Sequence, residues 1–546
     1  YWPQTQYRYF QVPIRYGYTK DTLNSDHTII QTDLYFAEFN GDWNVDGDTN
    51  YGEPADDVEY ETEIFAGRLL CTNSTQIQRW ANKVKNYENY PGNGDFSYLN
   101  KSLFIQSDQM QRDQHAQQAI NHYPDNFSAL IIEEEPSYDA ENPTGPTGAE
   151  VITEMNNHHG VISWMGHGKP IGMAVMTSGV NGWEEDSKYG FCSEDDSDYE
   201  NYAQIEESGN GLDNLTNIQH PGIVYSISCD NAPFDDFNTP EGMINLAEGY
   251  TTNTTAGGPA ILANSRYGYV YSSKNLYLEF LDVVFSSDQN NFLGVAESIS
   301  KSNQGGTYLS YSHNLIGCPE TRLWTKAPEK VYAQVNYQQD QVLVLNESND
   351  PVNNVTVTAV LDGNYESVQT GASGIAAFSS DITYQTHVAA TGKDILPAYT
   401  HIMKDQEVWT SENFIRGNIV VPTGYSVTLV DNITIPENIT FIAENGSTIN
   451  SNSGITVEGT LRLTNQHLEN LDVDIKNGGK LIIEDAVTFE SSASLTLEQG
   501  ATIEGTSSGN TLVVNGPFSC APNTTIKNFT HDGNGYVEIY NGQAVT

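Results

Sequence analysis

Two short apolar runs each end on a reactive side chain, and the two types suit nucleophilic chemistry. Residues 160–169 read GVISWMGHGK and carry His167, and residues 222–230 read GIVYSISCD and carry Cys229. Apolar runs bounded by Gly or Pro are typical of buried parallel strands. Ligands of an open α/β sheet bind at the carboxyl ends of its strands. The imidazole and the thiol are therefore expected at one sheet edge, where they can act as base and nucleophile.

Each residue also has an ordinary explanation. A cysteine at the end of a buried strand is most often a small hydrophobe, and a histidine after glycine is often a loop residue. The functional interpretation depends on the pair, since both follow matching strands and Cys229 lies 62 residues after His167. Caspases have the same order with a gap of about 50 residues. The residues around Cys229, SCDN, differ from the caspase pattern QACxG, so only the arrangement is shared.

Composition excludes several classes of function. The 546 residues include 71 acidic and 24 basic ones, a net charge of −47, whereas nucleic-acid binding needs a basic footprint. The sequence contains no run of 18 apolar residues, so no membrane-spanning helix is expected. The first residues, YWPQTQYRYF, contain neither Met nor a signal-peptide core, which favours a mature or trimmed product. A secreted or cell-surface protein is expected, and its five cysteines show no metal-binding spacing.

A calcium loop is predicted at residues 42–53, DWNVDGDTNYGE, which match D-x-[DN]-x-[DN]-G-x5-E throughout. The expected ligands are Asp42, Asn44, Asp46, Glu53 and the backbone carbonyl of Asp48. Gly47 would permit the sharp turn. The flanking residues are not amphipathic helices, so an isolated structural calcium site is expected rather than an EF-hand pair. The alternative is a solvated acidic turn.

The first 326 residues are expected to form an α/β domain with a parallel sheet flanked by helices. From residue 101 onward, apolar runs alternate with helical stretches, which is typical of βαβ units. Helices are predicted at 76–90, from Asp113, from Thr147, from Pro240, at 274–285 and at 293–300. The acidic stretch 183–201 is predicted to be an unpacked insertion loop, and its role stays open.

Two all-β domains are expected to follow. Short alternating strands in residues 327–410 predict a β-sandwich. In residues 411–546, glycines recur about every 20 residues among runs rich in Thr, Ile and Val, which predicts a β-solenoid, or β-helix. A second sandwich is the alternative. No catalytic pattern occurs there, so a spacer, stalk or adhesive surface is expected.

Four motifs together resemble the gingipain-type cysteine peptidases, over roughly residues 30–324. The motifs are NHHGVISWMGHGKP, IVYSISCDNAPFDD, GGPAILANSRYGYVYSS and HNLIGCPETRLW. The resemblance implies a caspase-like core fold followed by an immunoglobulin-like domain, and similar acidic loops occur in such relatives. Cys318 departs from the pattern, because many relatives have an acidic residue there.

The resemblance also implies roles for individual residues. Cys229 would attack the peptide carbonyl, His167 would carry the proton, and the backbone N–H groups of Gly168 and Cys229 would form the oxyanion hole. Asp108, after an upstream strand, is the candidate to orient His167. Gingipain-like enzymes cleave after Arg or Lys, and Asp113 lies where the pocket carboxylate is expected. The alternative for Asp113 is the N-cap of a helix over residues 114–122.

The resulting prediction is a secreted cysteine endopeptidase acting through a Cys–His acyl-enzyme, with structural calcium and no organic cofactor. Its expected partners are protein or peptide substrates, with possible attachment to a cell surface. Two alternatives stay open. A sortase-like transpeptidase would form the same acyl-enzyme and resolve it with an amine, and a non-catalytic adhesin would keep only the scaffold.

Overall fold

A six-stranded sheet with strand order β11-β10-β9-β5-β3-β4 forms the centre of the N-terminal region. Its strands are β3 (Lys101–Gln106), β4 (Ser128–Glu133), β5 (Val161–Met165), β9 (Ile223–Ser226), β10 (Ala260–Asn264) and β11 (His313–Ile316). All neighbours pair in parallel except β10 and β11. The strands β5, β9 and β10 are buried along their whole length, which explains their continuous apolar sequence. The predicted α/β domain with a parallel sheet is thus present.

This computed structural model describes residues 12–19, 28–134, 145–175, 189–196, 198–199, 202, 208–235, 238–286, 291–304, 306–410, 415–532 and 537–539. The chain divides into two compact units, residues 1–328 and 329–546. No helix among the described residues is both long enough and apolar enough to cross a membrane.

One helix precedes the first strand of the sheet, and the others lie on connections between its strands. They are α1 (Ser74–Glu88), α2 (Asp108–Arg112), α3 (His115–Ile120), α4 (Gly148–Met155), α5 (Leu246–Glu248), α6 (Val270–Phe285), α7 (Leu293–Gln304) and α8 (Thr307–Ser312). The prediction of a helix from Pro240 is wrong, because residues 240–245 are irregular and α5 begins six residues later. A π-helix, Gly249–Asn253, continues α5, and the buried Lys83 ammonium donates to the carbonyls of Tyr250 and Thr251 at 2.7 and 3.0 Å.

A small antiparallel sheet follows β5 and presents His167. It consists of β6 (His167–Lys169), β7 (Gly172–Ala174) and β8 (Gly190–Cys192). The prediction that residues 183–201 form an unpacked loop is wrong for β8, which is fully buried despite its acidic neighbours. Its apolar GFC segment pairs with β7, and Phe191 and Cys192 are both fully buried, which favours packing over a solvated loop. Residues 183–188, 197, 200 and 201 of that prediction lie outside the described residues. A separate two-stranded sheet pairs β1 (Tyr16–Tyr18) with β2 (Ile29–Gln31).

The second unit begins with a seven-stranded β region in the order β15-β14-β17-β18-β12-β13-β16. Its strands are β12 (Glu329–Asn336), β13 (Gln341–Asn346), β14 (Thr356–Leu361), β15 (Asn364–Gln369), β16 (Ile375–Ala377), β17 (His387–Gly392) and β18 (Ile395–Tyr399). Alternate residues of β12, such as Val331, Ala333 and Val335, point into an apolar core.

The remainder of the unit is a β-solenoid, as predicted, with its strands paired in parallel in three sheets. The strands are β19 (His401–Ile402), β20 (Glu407–Trp409), β21 (Ile419–Val421), β22 (Ser426–Leu429), β23 (Ile433–Ile435), β24 (Thr440–Ala443), β25 (Thr448–Ser451), β26 (Gly454–Val457), β27 (Thr460–Leu468), β28 (Asp472–Ile475), β29 (Lys480–Phe489), β30 (Ser494–Leu497), β31 (Thr502–Gly505), β32 (Thr511–Val514), β33 (Phe518–Cys520), β34 (Thr525–Lys527), β35 (Thr530–Asp532) and β36 (Val537–Ile539). Register partners such as Ile433 and Ile455, on β23 and β26, lie one rung apart. Gly424 and Gly446, which have φ of +85° and +79°, turn the chain between strands where a side chain would be strained.

Candidate active site

Three reactive side chains follow three neighbouring strands at one edge of the central sheet. Asp108 comes after β3, His167 after β5 and Cys229 after β9. The chain crosses from β3 to β4 on one side and then returns to β5 on the other, which makes a topological switch point between β3 and β5. Ligands of open α/β sheets bind in the crevice at such a point. The edge carrying these residues is therefore the candidate active site.

Asp108 and His167 contact each other across this edge. The Asp108 Oδ2 lies 3.3 Å from His167 Nε2, and its Oδ1 accepts from Arg112 at 2.7 Å. The backbone N–H of Asp108 donates to Glu134 at 2.7 Å, which fixes the start of α2. The hydrogen bond from His167, with smaller help from Arg112, lowers the pKa of the Asp108 carboxyl. Asp108 is therefore an ionised partner for one nitrogen of the imidazole.

The residue after His167 lies directly against the cysteine. A Cβ at position 168 would collide with the carbonyl oxygen of Cys229, so the backbones can approach only because residue 168 is glycine. The two-residue turn between β6 and β7 holds the His167 hairpin in this place. The structure thus brings together the histidine segment and the cysteine turn that the sequence paired.

A network of small polar side chains fixes the turn that carries Cys229. Ser226 donates to Asn231 at 2.7 Å, Asn231 donates to the Lys169 carbonyl at 3.3 Å, and Ser228 accepts from the Gly166 N–H at 3.2 Å. These contacts link the Cys229 turn to both ends of β6, the strand that carries His167. Sequence reasoning missed Ser226, Ser228 and Asn231, although three polar residues flanking a cysteine after an apolar strand, in SISCDN, could have indicated them.

The Cys229 thiol is partly exposed and contacts the backbone of Gly268. The Gly268 N–H donates to Sγ at 3.3 Å, and Sγ lies 3.6 Å from the Gly268 carbonyl oxygen. Desolvation raises the pKa of the thiol to about 12, and the neighbouring Asp230 adds to this, whereas the Gly268 N–H acts in the opposite direction. The thiol therefore keeps its proton at neutral pH in this structure, and a base must remove it for attack.

Asp113 lies beside the same edge and is the C-cap of α2 rather than the N-cap of the next helix. Helix α3 begins at His115 with Gln114 at its N-cap, so the N-cap alternative for Asp113 is wrong. The helical backbone is interrupted at Gln114, which adopts φ +56°, and this separates α2 from α3. The exposed Asp113 carboxylate accepts from the Tyr271 hydroxyl at 2.8 Å, and this hydrogen bond lowers the pKa of Asp113. Tyr271 lies three residues after Gly268, which places Asp113 on the rim of the Cys229 edge.

The predicted calcium loop gathers part of its ligand set. Carboxylate oxygens of Asp46, Asp48 and Glu53 lie within 4.8 Å of one another, so Asp48 joins the group through its side chain and not through the predicted backbone carbonyl. The Asn44 Oδ1 is buried without a hydrogen-bond partner among the described residues, and Gly47 has the predicted turn conformation with φ +73°. Asp42 instead accepts the backbone N–H of Asn44 at 2.9 Å. An all-oxygen donor set with an unpartnered amide oxygen fits a calcium ion.

A thiol, an imidazole and a carboxylate at the switch point of an α/β sheet are the functional groups of a cysteine peptidase. The model of peptidase family C25 matches residues 4–324, which is more than half of the chain. The protein belongs to peptidase family C25, the gingipain family, and is a cysteine endopeptidase. This confirms the resemblance drawn from the sequence motifs.

Two solved structures are similar over much of the chain. The crystal structure of the Arg-specific cysteine proteinase gingipain R is 15% identical, covers 68% of this chain and 78% of its own, and has a TM-score of 0.48. The complex of the pro- and mature domains of Porphyromonas gingivalis RgpB is 15% identical, covers 68% and 80%, and has a TM-score of 0.47. No curated protein matches the sequence.

Proposed function

We propose that Cys229 is the nucleophile of this peptidase and His167 its base. The single observation that carries the proposal is the packing of Gly168 on Cys229, which joins the histidine hairpin to the cysteine turn at the switch point. Their positions after adjacent parallel strands support it further. Asp108 is the orienting carboxylate, because its Oδ2 faces His167 Nε2. This leaves Nδ1 as the nitrogen that exchanges the thiol proton.

In the proposed mechanism, the Cys229 S–H proton moves to His167 as Sγ attacks the scissile carbonyl carbon. The tetrahedral intermediate collapses when the C–N bond breaks and His167 gives that proton to the leaving amine. Water then adds to the thioester, with His167 taking one of its protons and returning it to Cys229. A resting thiol with a raised pKa suits this order, since proton transfer accompanies attack.

The backbone N–H groups of Gly168 and Cys229 are the proposed oxyanion donors. Lys169 and Gly172 flank a two-residue turn and so form a hydrogen-bonded pair, which makes the next pair, Gly168 and Met173, a non-hydrogen-bonded one. The N–H of Gly168 therefore points away from β7. Such preorganised donors commonly account for about 10²–10³ in rate.

Secretion and a preference for basic residues before the scissile bond are further proposals. The net charge of −47 would draw cationic peptides toward the molecule. The Asp113 carboxylate at the rim of the site supplies a local partner for Arg or Lys. A cell-surface or extracellular location agrees with the acidic composition and with cleavage of protein substrates.

The calcium site and the immunoglobulin-like identity of the seven-stranded region are also proposals. Asp46, Asp48 and Glu53 would hold the ion, with Asn44 contributing its unpartnered amide oxygen. Calcium would stabilise the surface loop and take no part in the chemistry. For the seven-stranded region, pairing that is antiparallel except between β12 and β18, around one apolar core, supports a sandwich of the immunoglobulin type.

The test replaces the two reactive residues separately. Cys229→Ala and His167→Ala should each give folded protein without peptide cleavage, and Cys229→Ala should lose labelling by a thiol-directed peptide inhibitor. Cys318→Ala, at a partly exposed cysteine elsewhere in the unit, is the matched control and should keep full activity. Appreciable turnover by Cys229→Ala would refute the assignment. Product analysis with an added amine separates hydrolysis from transpeptidation.

A further inference from the structure

Asp230, the residue after Cys229, is a buried carboxyl that the proposed mechanism does not use. It is 6% exposed, and its Oδ1 has no hydrogen-bond partner among the described residues. Its backbone adopts φ +50°, a conformation that Asp and Asn tolerate better than other side chains. Burial of an ionised carboxylate without a partner is strongly unfavourable. This position therefore favours the protonated acid.

Arg266, the cation nearest in effect to Asp230, already forms an ion pair with the carboxylate of Asp235. Arg266, which follows β10, binds Asp235 through two contacts, Nη1–Oδ1 at 3.2 Å and Nη2–Oδ2 at 2.6 Å, and both side chains are buried. The contact of Asp230 with Arg266 runs through the backbone, since its N–H donates to the Arg266 carbonyl at 2.9 Å. An ionised Asp230 would leave this buried cluster with a net negative charge.

The balance of these groups raises the pKa of Asp230 to about 7. Desolvation is the main cause, Arg266 lowers the pKa, and Asp235 raises it. The other titratable groups that face the carboxyl are the Cys229 thiol and the Tyr308 hydroxyl of α8. The pKa of Tyr308 is raised mainly by burial and further by Asp230 and Cys229. The carboxyl thus changes charge near neutral pH in a desolvated cluster beside the nucleophile.

We propose that Asp230 is a positioning residue that controls the ionisation of Cys229, so that the thiolate forms readily only while the Asp230 carboxyl keeps its proton. Two adjacent negative charges in a desolvated site repel each other, and their titrations are coupled. During attack the Cys229 S–H bond breaks and its proton moves to His167, while Asp230 retains its O–H. As pH rises, the Asp230 carboxylate appears and opposes the thiolate. The inference rests on the proposed role of Cys229.

The experiment measures alkylation of Cys229 by iodoacetamide between pH 5.5 and 9, followed by mass spectrometry of the peptide that contains it. Asp230→Asn removes the charge and keeps the side-chain shape and the tolerance for positive φ. At pH 8.5 it should react about three- to tenfold faster than the wild type, equivalent to half to one unit of thiol pKa. At pH 5.5 the two rates should converge, because the wild-type carboxyl is then neutral. Asp282→Asn, an exposed carboxylate paired with His122, is the charge-matched control and should follow the wild type.

Equal alkylation rates of Asp230→Asn and the wild type across the pH range would overturn the proposal. Unchanged alkylation with selective loss of Arg and Lys cleavage would also overturn it, because Asp230 would then bind substrate. If Asp230→Asn does not fold, the profile of His167→Gln decides: an inflection near neutral pH that persists without the imidazole supports the coupling, and a single ionisation refutes it. Alkylation needs no turnover, so a Cys229→Ala variant that still cleaves peptides would refute the proposed function without deciding this test.

Discussion

The side chains of the proposed catalytic edge, at the ends of β3, β5 and β9, are held by different kinds of contact from those of the solenoid interior. At the sheet edge, buried Ser226, Ser228 and Asn231 are held by individual hydrogen bonds, and Asp230 is buried without one on Oδ1. In the solenoid, the described core is mainly apolar, with a few buried polar side chains such as Gln466, and residues such as Leu461 and Leu481 stack on one another in successive rungs. The sheet edge is therefore specified by individual hydrogen bonds that each occur once, whereas the solenoid is specified by one kind of apolar contact that repeats from rung to rung.

The difference separates function from stability. In a repeated apolar stack, the loss of one side chain destabilises mainly the adjoining rungs, because each rung contacts only its neighbours. The proposed catalytic edge has no such redundancy, since each polar group there is held by specific partners that no neighbouring element repeats. Substitutions at the edge should therefore change activity with little change in unfolding free energy, and substitutions in the solenoid core should do the reverse.

The largest effect is expected for Asp108→Asn. The variant keeps the size of the side chain but loses the carboxylate that faces His167 Nε2 at 3.3 Å. The imidazole would then lose the charge that fixes its orientation and stabilises its protonated form, so kcat/KM should fall by about 10²–10⁴. Thermal melting should change little, because the side chain is about one quarter exposed, at 26%.

The control for this variant is Arg112→Gln, which removes the other partner of Asp108 at the exposed end of α2. It should keep most of the activity, because exposed i,i+4 ion pairs contribute little. If kcat/KM falls no further in Asp108→Asn than in Arg112→Gln, Asp108 does not orient His167.

The next effect concerns Leu481→Ala in the solenoid core. Leu481 is fully buried between Leu461 and Ile503 of the adjoining rungs. Removing its side chain should cost about 2–5 kcal/mol of local stability from lost burial and the cavity left behind. Peptide-resolved hydrogen exchange should show faster exchange in neighbouring rungs, with kcat/KM unchanged.

Val430→Ala is the matched control, because that side chain is 55% exposed in the same solenoid. It should change stability by no more than about 0.5 kcal/mol. A loss of activity in Leu481→Ala at a temperature where the protein stays folded would show that the two regions are not separable in the way proposed.

The sequence was sufficient where a pattern is local or repeated. The buried strands β5 and β9 have continuous apolar runs, and the solenoid has its glycine spacing, so both could be predicted. These two features depend on burial and periodicity, which single sequences record directly. The contact between Asp108 and His167 depends on the order of strands in the sheet, and only the family resemblance indicated Asp108.

Other features depend on contacts between distant segments and could not be predicted. The GFC strand β8 lies among acids that suggested a solvated loop, and its burial follows from pairing with β7. The left-handed Gln114 interrupts a helical pattern and moves the helix start past Asp113. The effect of Asp235 and Arg266 on Asp230 arises only when the segment after β10 folds against the cysteine turn.

Calcium offers a smaller and more local test within the first unit. An ion that binds only the folded loop stabilises it by RT ln(1 + [L]/Kd), about 2.7 kcal/mol at a hundredfold excess over Kd. Chelation should therefore lower the melting temperature of the first unit and leave hydrogen exchange of the solenoid rungs unchanged. Asp46→Ala should abolish the response, whereas Glu59→Ala, at an exposed carboxylate just beyond the loop, should retain it. Identical melting with and without chelator would rule out the calcium site.

The smallest effect is expected for Asp113→Asn, which tests selectivity at the rim of the catalytic edge. The carboxylate is exposed and accepts the Tyr271 hydroxyl at 2.8 Å, so solvent screens its attraction for a substrate cation. Cleavage after Arg and Lys should therefore fall only about two- to fivefold relative to cleavage after Gln or Leu, measured with a peptide library varied at that residue.

Tyr271→Phe tests the same carboxylate in the opposite direction. It removes the hydroxyl that donates to Asp113 and leaves the carboxylate in place. This variant should increase the preference for Arg and Lys, and Asp282→Asn should leave the profile unchanged. Equal profiles for Asp113→Asn and the wild type, or a preference for apolar residues in both, would mean that the Asp113–Tyr271 contact is structural. Another part of the proposed catalytic edge would then determine the selectivity for the residue before the scissile bond.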